Sequence, residues 1–163
     1  MTATLLTPEF IAIIDRGVSS IVASRSLDMK PSIMRAVGAR ITPDGTHVTV
    51  FVSRPASRQL LQDIATTGTV SVVFSVPFTH QTVQVKASRG VEIRPAGEQD
   101  RPVLARYLKS MEFEIGRVGY GPAFTRKMLS HDLAQTVAIG FTPEQAFDQT
   151  PGPRAGRRME PSA

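Results

Sequence analysis

The spacing of apolar residues starts with a helical signal and then changes period. Thr7-Pro8-Glu9 combines a capping hydroxyl, a proline suited to a first turn and an acidic side chain against the positive end of a helix, and Gly17 supplies a stop. Ile11 and Ile14 share one face of this helix, a packing surface for the domain or for a second subunit. From Val18 onward the period falls to two. Val18 to Ser24, Ser32 to Ile41 and His47 to Ser53 read as strands, and Thr42-Pro43-Asp44-Gly45 is a turn joining the last two. In the third strand Val48, Val50 and Val52 point to one face, Thr49, Phe51 and Ser53 to the other.

Leu60, Leu61, Ile64 and Ala65 mark a helix over Ser57 to Thr67, with Gly68 as its stop. Alternation resumes from Thr69 to Val76 and again in a long fifth strand, Gln81 to Arg94. The Ala87-Ser88-Arg89-Gly90 interior of that strand predicts a bend or bulge of the kind closed sheets need at corners. Val103, Leu104, Tyr107, Leu108 and Met111 place a helix over 98–115, and Phe124, Met128 and Leu129 mark a short one after a glycine-rich break. A sixth strand is expected from Leu133 to Phe141. Thr142-Pro143-Glu144 repeats the helix-start chemistry of the N-terminus, and Pro151-Gly152-Pro153 prevents its continuation.

Six strands with helices after the third and fifth predict a mainly β, α+β fold: an antiparallel barrel with helical decoration in a single domain over residues 1–150. Residues 151–163 then form a basic tail, extended or disordered unless a partner holds it.

Composition narrows the chemistry. The 163 residues contain no cysteine, which excludes disulfides, thiolate metal sites and a cysteine nucleophile and favours a cytoplasmic setting. The net charge of +5 is partly a property of the tail, where Arg154, Arg157 and Arg158 face only Glu160. No run of five like charges occurs and aromatic residues make up 6%, so a nucleic-acid partner is not expected. The apolar stretch Phe10 to Ile14 is far shorter than the ~20 residues of a membrane-spanning helix, so no membrane partner is expected either. Catalytic triad, zinc-hydrolase, P-loop and dinucleotide signatures are missing. His47, His80 and His131 lie far apart, and only His80, beside the fifth strand, merits attention as a ligand.

The arginines are more informative. Arg35 and Arg40 lie within a strand of small and apolar residues, while Ser53-Arg54 ends the next strand and Ser57-Arg58 opens a helix. Guanidinium groups and the free N–H groups of a helix start suit one phosphate; snorkelling, or pairing with Asp28, Asp44 or Asp63, is the plainer role. On the fifth strand, the polar row Thr82, Gln84 and Lys86 offers donors and acceptors to the edge of a planar heterocycle, or simply a solvated sheet face.

The segment Arg35-Ala36-Val37-Gly38-Ala39-Arg40, the pair Ser53-Arg54 and the segment Thr82-Val83-Gln84-Val85-Lys86 resemble, in order and spacing, the pyridoxamine 5'-phosphate oxidase-like FMN-binding split-barrel family. The resemblance implies a six-stranded antiparallel split barrel that binds FMN through Arg35, Val37, Arg40, Ser53, Arg54, Ser57, Arg58, Thr82 and Gln84. It also implies a homodimer with flavin at the subunit interface and a flavin-dependent oxidoreductase with a small-molecule electron donor and acceptor. Two departures stand out. Pro55 replaces the phosphate-binding lysine common in that family, and the C-terminal segment lacks the Arg-Leu-His sequence that holds vitamin B6 phosphate. The expectation is therefore a flavoprotein other than a pyridoxamine phosphate oxidase. The competing readings are a non-catalytic flavin or haem barrel, the latter using His80, and an interaction module that has lost its cofactor, as Pro55 suggests.

Overall fold

A computed structural model describes residues 4–161. The helix α1 (Pro8–Arg16) leads into β1 (Ser19–Arg25), β2 (Pro31–Arg35), β3 (Gly38–Ile41) and β4 (Val48–Ser53). A 3-10 turn, Pro55–Ser57, opens α2 (Arg58–Thr67), and β5 (Val70–Ser75), β6 (Thr82–Ala87) and β7 (Glu92–Pro95) follow. Then come α3 (Arg101–Arg117), α4 (Pro122–Met128), β8 (Thr136–Phe141), β9 (Gln145–Asp148) and β10 (Arg157–Arg158). All pairings are antiparallel, in a six-stranded sheet of order β10-β9-β6-β5-β1-β2 and a four-stranded sheet of order β3-β4-β8-β7.

The first helix forms as its sequence directs. The Thr7 hydroxyl accepts from the Phe10 amide at 3.3 Å, and Phe10, Ile13 and Ile14 are buried on one face. Gly17 ends it at φ 95°, a conformation that side chains rarely adopt, and there is no room for one: a Cβ would lie 3.1 Å from Tyr107 Cα. Gly68 closes α2 in the left-handed conformation, its N–H reaching Ile64 O at 2.8 Å.

The α+β antiparallel architecture is the expected one, with ten strands among the described residues in place of six. The difference arises where the chain passes from one sheet to the other. Ser32 to Ile41 is two strands because the Ala36 amide bonds to Ser20 in one sheet, at 2.9 Å, and the Val37 amide to Phe51 in the other, at 2.8 Å. The stretch from Gln81 to Arg94 divides the same way at residues 88–91, where the bend was expected. Leu133–Gln135 is a 3-10 turn, so the strand expected from Leu133 begins at Thr136.

Thr142-Pro143-Glu144 starts no helix, contrary to its sequence. Ala146 and Asp148 alternate into the interior, and β9 pairs with β6 through Ala146 opposite Val85. Tertiary pairing thus overrides a local helix-start signal. In the C-terminal segment Arg157 and Arg158 pair with Asp148 and Phe147, adding a short strand to the same sheet.

The main core lies between the two sheets. Val22, Val72, Phe74 and Val85 face Val50, Val52, Ile139 and Phe141, all fully buried, each contributing about 1.5–3 kcal/mol. A smaller cluster lies on the other side of the four-stranded sheet, where Leu104 of α3 packs with Val37, Phe51 and Ala138. Gly38 is part of that contact: a Cβ there would sit 2.6 Å from Leu104 Cδ2. Among the described residues no helix is long and apolar enough to cross a membrane.

Candidate functional site

Because the large sheet packs only its inner face on the core, its outer face is where chemistry can be displayed. Strand register fixes which side chains share that face. Arg35 lies opposite Ile21, Ile21 opposite Val73, Val73 opposite Gln84, and Gln84 opposite Phe147. One step along, Ser19, Ser75 and Thr82 form a polar row, and on the other side Ala23, Ser71, Lys86 and Gln145 form another. Arg35, Thr82 and Gln84, separated in sequence by up to 49 residues, are therefore on one surface.

The polar groups of this face hold one another. Arg35 Nη1 donates to Ser19 Oγ at 3.0 Å, Ser75 Oγ and Thr82 Oγ1 are 2.7 Å apart, and the Thr82 hydroxyl reaches His80 O at 2.8 Å. Gln84 donates from Nε2 to Ser71 Oγ at 3.0 Å and accepts at Oε1 from Gln149 Nε2 at 3.3 Å. Its amide is thereby fixed in orientation, with one N–H and one lone pair left over. The Thr82 hydroxyl has its partners inside the protein, so Gln84 is the better placed of the two to meet a ligand.

At the edge of this sheet the turn Pro55–Ser57 packs against β2 and delivers the second group of expected residues. Ser53 ends β4 opposite Thr136, Arg54 and Arg58 are exposed, and Ser57 is 1% exposed with an Oγ that lacks any hydrogen-bond partner. A buried hydroxyl without a partner is costly, on the order of 1–3 kcal/mol. None of Arg35, Arg40, Arg54 and Arg58 has a carboxylate within 4.0 Å among the described residues. Pairing with an aspartate is thus not seen for these arginines among the described residues: Asp63 is taken by Ser32 and Gln59, and Asp44 by Thr42 and Thr46.

Two expected residues stand apart. Val37 is buried in the small cluster with Phe51 and Leu104, so only its backbone can face a ligand. Arg40 lies on the four-stranded sheet opposite Thr49, away from the sheet that carries Arg35. There it adds to the field around Asp100, whose carboxyl is held below the usual range, first by hydrogen bonds from Arg94 and then by the Gly97 amide and Coulombic attraction, against the opposing effect of burial. His80 is on an exposed turn at φ 61°.

Sequence reasoning missed Arg25 and Ser71. They line a concavity of about 460 Å³ with Ser24, Gln84, Lys86 and Glu144, at the end of the outer face farther from Arg35. The lining comes from four strands distant in the chain, and no local motif announces it.

No family model matches this chain, and no curated protein matches its sequence. Solved structures share its architecture. A candidate pyridoxamine 5'-phosphate oxidase from Lactobacillus delbrueckii superposes with a TM-score of 0.55 at 15% identity, over 87% of this chain and 93% of that one. HupZ from Group A Streptococcus gives 0.55 at 16% identity, over 93% and 99% of the two chains. An F420 reductase gives 0.56 at 17% identity, over 83% and 93%. The chain therefore has the pyridoxamine 5'-phosphate oxidase-like split-barrel fold.

Proposed function

We propose that this protein is an FMN-binding split-barrel flavoprotein, an oxidoreductase distinct from pyridoxamine phosphate oxidases, working as a homodimer with its flavin between subunits. The observation that carries the reading is the β4–α2 junction: a buried, unpartnered Ser57 hydroxyl with Arg54 and Arg58 beside it, packed on the strand that ends in Arg35. Its donors fit a phosphate, because three guanidinium groups with no carboxylate partner among the described residues and a hydroxyl at a helix start supply charge and directed N–H and O–H groups. Pro55 presents no amine, so the arginines carry the charge that a lysine supplies elsewhere in the family.

Arg35 and Ser57 would anchor the phosphate, and Gln84 would hydrogen-bond the ring edge. Arg25 lies four residues along the β1–β2 ladder from the Arg35 row, about 13 Å at 3.3 Å per residue. A phosphate and a ring several bonds apart can lie along that face. When bound, FMN supplies the redox chemistry that a chain without cysteine does not provide through its own thiols. Ser71 and Gln149 keep the Gln84 amide in one orientation. Ile21, Val73 and Phe147, partly exposed on the same face, would exclude water from one side of the ring and give a second subunit apolar surface to cover.

Titration of purified protein with FMN, followed by flavin fluorescence and absorbance, tests the proposal. Saturable binding at one flavin per chain, bleached by a nicotinamide donor and restored by air, is the expected result. A colourless protein that ignores added FMN overturns it.

A further inference from the structure

The concavity at the far end of the outer face is positively charged and has donors to spare. Lys86 places its ammonium 5.0 Å over the Phe147 ring, and Arg25 uses one bond, Nη1 to Ser26 O at 3.3 Å. Neither has a carboxylate within 4.0 Å among the described residues. The one acid on the rim, Glu144, is already engaged by Arg89 at 2.7 Å and by the Ser88 amide and hydroxyl at 2.9 and 2.6 Å. Ser71 Oγ accepts from Gln84, which leaves its own O–H available as a donor to a ligand. Ala23 and Val70 add apolar wall, and a concave low-dielectric wall strengthens the field of the two cations.

We infer that this concavity binds a small organic anion with a flat apolar body, its charged group held by Arg25, Lys86 and the Ser71 hydroxyl. Ala23, Ser71 and Lys86 form one row across three adjacent strands, and Arg25 is two residues farther along β1. The cations thus approach from the two flanks, with side chains long enough to meet over a span of about 10 Å, two strand spacings. That the anion lies beside a flavin, as its small-molecule partner, rests on the function proposed above. Its binding to the bare protein does not.

Benzoate and its neutral isostere benzamide separate charge from shape. In ¹H–¹⁵N spectra of the labelled protein, benzoate should shift the amides of Ser71, Lys86 and Ser88 saturably, and benzamide should bind about tenfold more weakly. Lys86→Met and Arg25→Gln should each weaken benzoate about fivefold, the loss of one charge-assisted contact at a half-exposed site, with the melting temperature unchanged. Equal binding of benzoate and benzamide, no saturable shift at these amides, or full benzoate affinity in both variants would overturn the inference. Addition of FMN then divides the two readings. A protein that binds benzoate and ignores FMN keeps this site and removes the flavin. Competition between benzoate and FMN for one site removes the anion site, because the concavity then belongs to the cofactor.

Discussion

Arg94 grips Asp100 with both arms of its guanidinium, Nη1 to Oδ2 at 2.7 Å and Nη2 to Oδ1 at 2.8 Å. The pair fastens β7 to the start of α3, and the Gly97 amide adds a bond of 3.0 Å to the same carboxylate. Asp100 is wholly buried while Arg94 is 40% exposed, so water screens one partner and not the other. Asp100→Asn should lower stability by about 1.5–3 kcal/mol, measured by urea unfolding. The sign with pH follows from the depressed carboxyl. Its contribution is complete above the ordinary aspartate value of 3.8 and disappears as pH falls through the lower folded value. Wild type should therefore lose more stability than Asp100→Asn as pH is lowered below about 4.

Tyr107 is fully buried on α3, and its hydroxyl lies by Ser20 without closing a hydrogen bond of good geometry. Burial pushes its phenol up to about 12, with Ser20 and the charge of Arg35 pulling weakly the other way. A raised phenol favours folding while protonated, so this contribution is present below pH 10 and is lost as pH rises through the folded value. Tyr107→Phe should be neutral or stabilising by about 1 kcal/mol at pH 7, since it removes a poorly satisfied buried group. It should also flatten the alkaline fall in melting temperature, and an unchanged alkaline limb would place the titrating group elsewhere.

Arg35→Ala and Arg54→Ala should each weaken FMN binding by about 1.5–3 kcal/mol, the range for hydrogen bonds to a charged group. Arg40→Ala should leave the affinity nearly intact, because Arg40 is on the other sheet. Fluorescence titration of the three variants reads the difference, and equal losses in all three would contradict this division.

Gly38 lies beneath Leu104 and Phe51, where a Cβ would be 2.6 and 3.1 Å from Leu104 Cδ2 and Phe51 Cδ2. Gly38→Ala should cost about 1–3 kcal/mol through overpacking. Leu104→Val in the same background should recover part of that loss if the clash is its cause. A double-mutant cycle by thermal unfolding checks the coupling.

These positions show what the amino-acid order made legible. Caps such as Thr7 and Gly68 were readable because their chemistry is local, and so was the alternation of Val48, Val50 and Val52. The resemblance alone places Arg35, Arg54 and Gln84 among the candidates. What alternation does not specify is which sheet a strand joins, so Ser32 to Ile41 read as one strand and Arg40 as a neighbour of Arg35. The Thr142-Pro143-Glu144 signal misled for a related reason: pairing with β6 is remote in sequence and outweighs a helix start. Arg25 sits at the end of an ordinary alternating strand, and only assembly of β1, β5 and β6 gives it a partner in Lys86 across the concavity.

The crossings between sheets at Ala36-Val37 and at residues 88–91 also constrain how the chain can fold during synthesis. Each sheet joins segments far apart in the polypeptide: Val48 waits for Phe141, and Val85 for Ala146. A ribosome-bound chain that has released only its first hundred or so residues exposes the β4 edge destined for β8, with the inner faces of both sheets incompletely covered. Folding dominated by such distant pairings is slow and vulnerable to association between unfinished chains, so truncation anywhere before β8 should yield aggregate in place of a smaller stable domain.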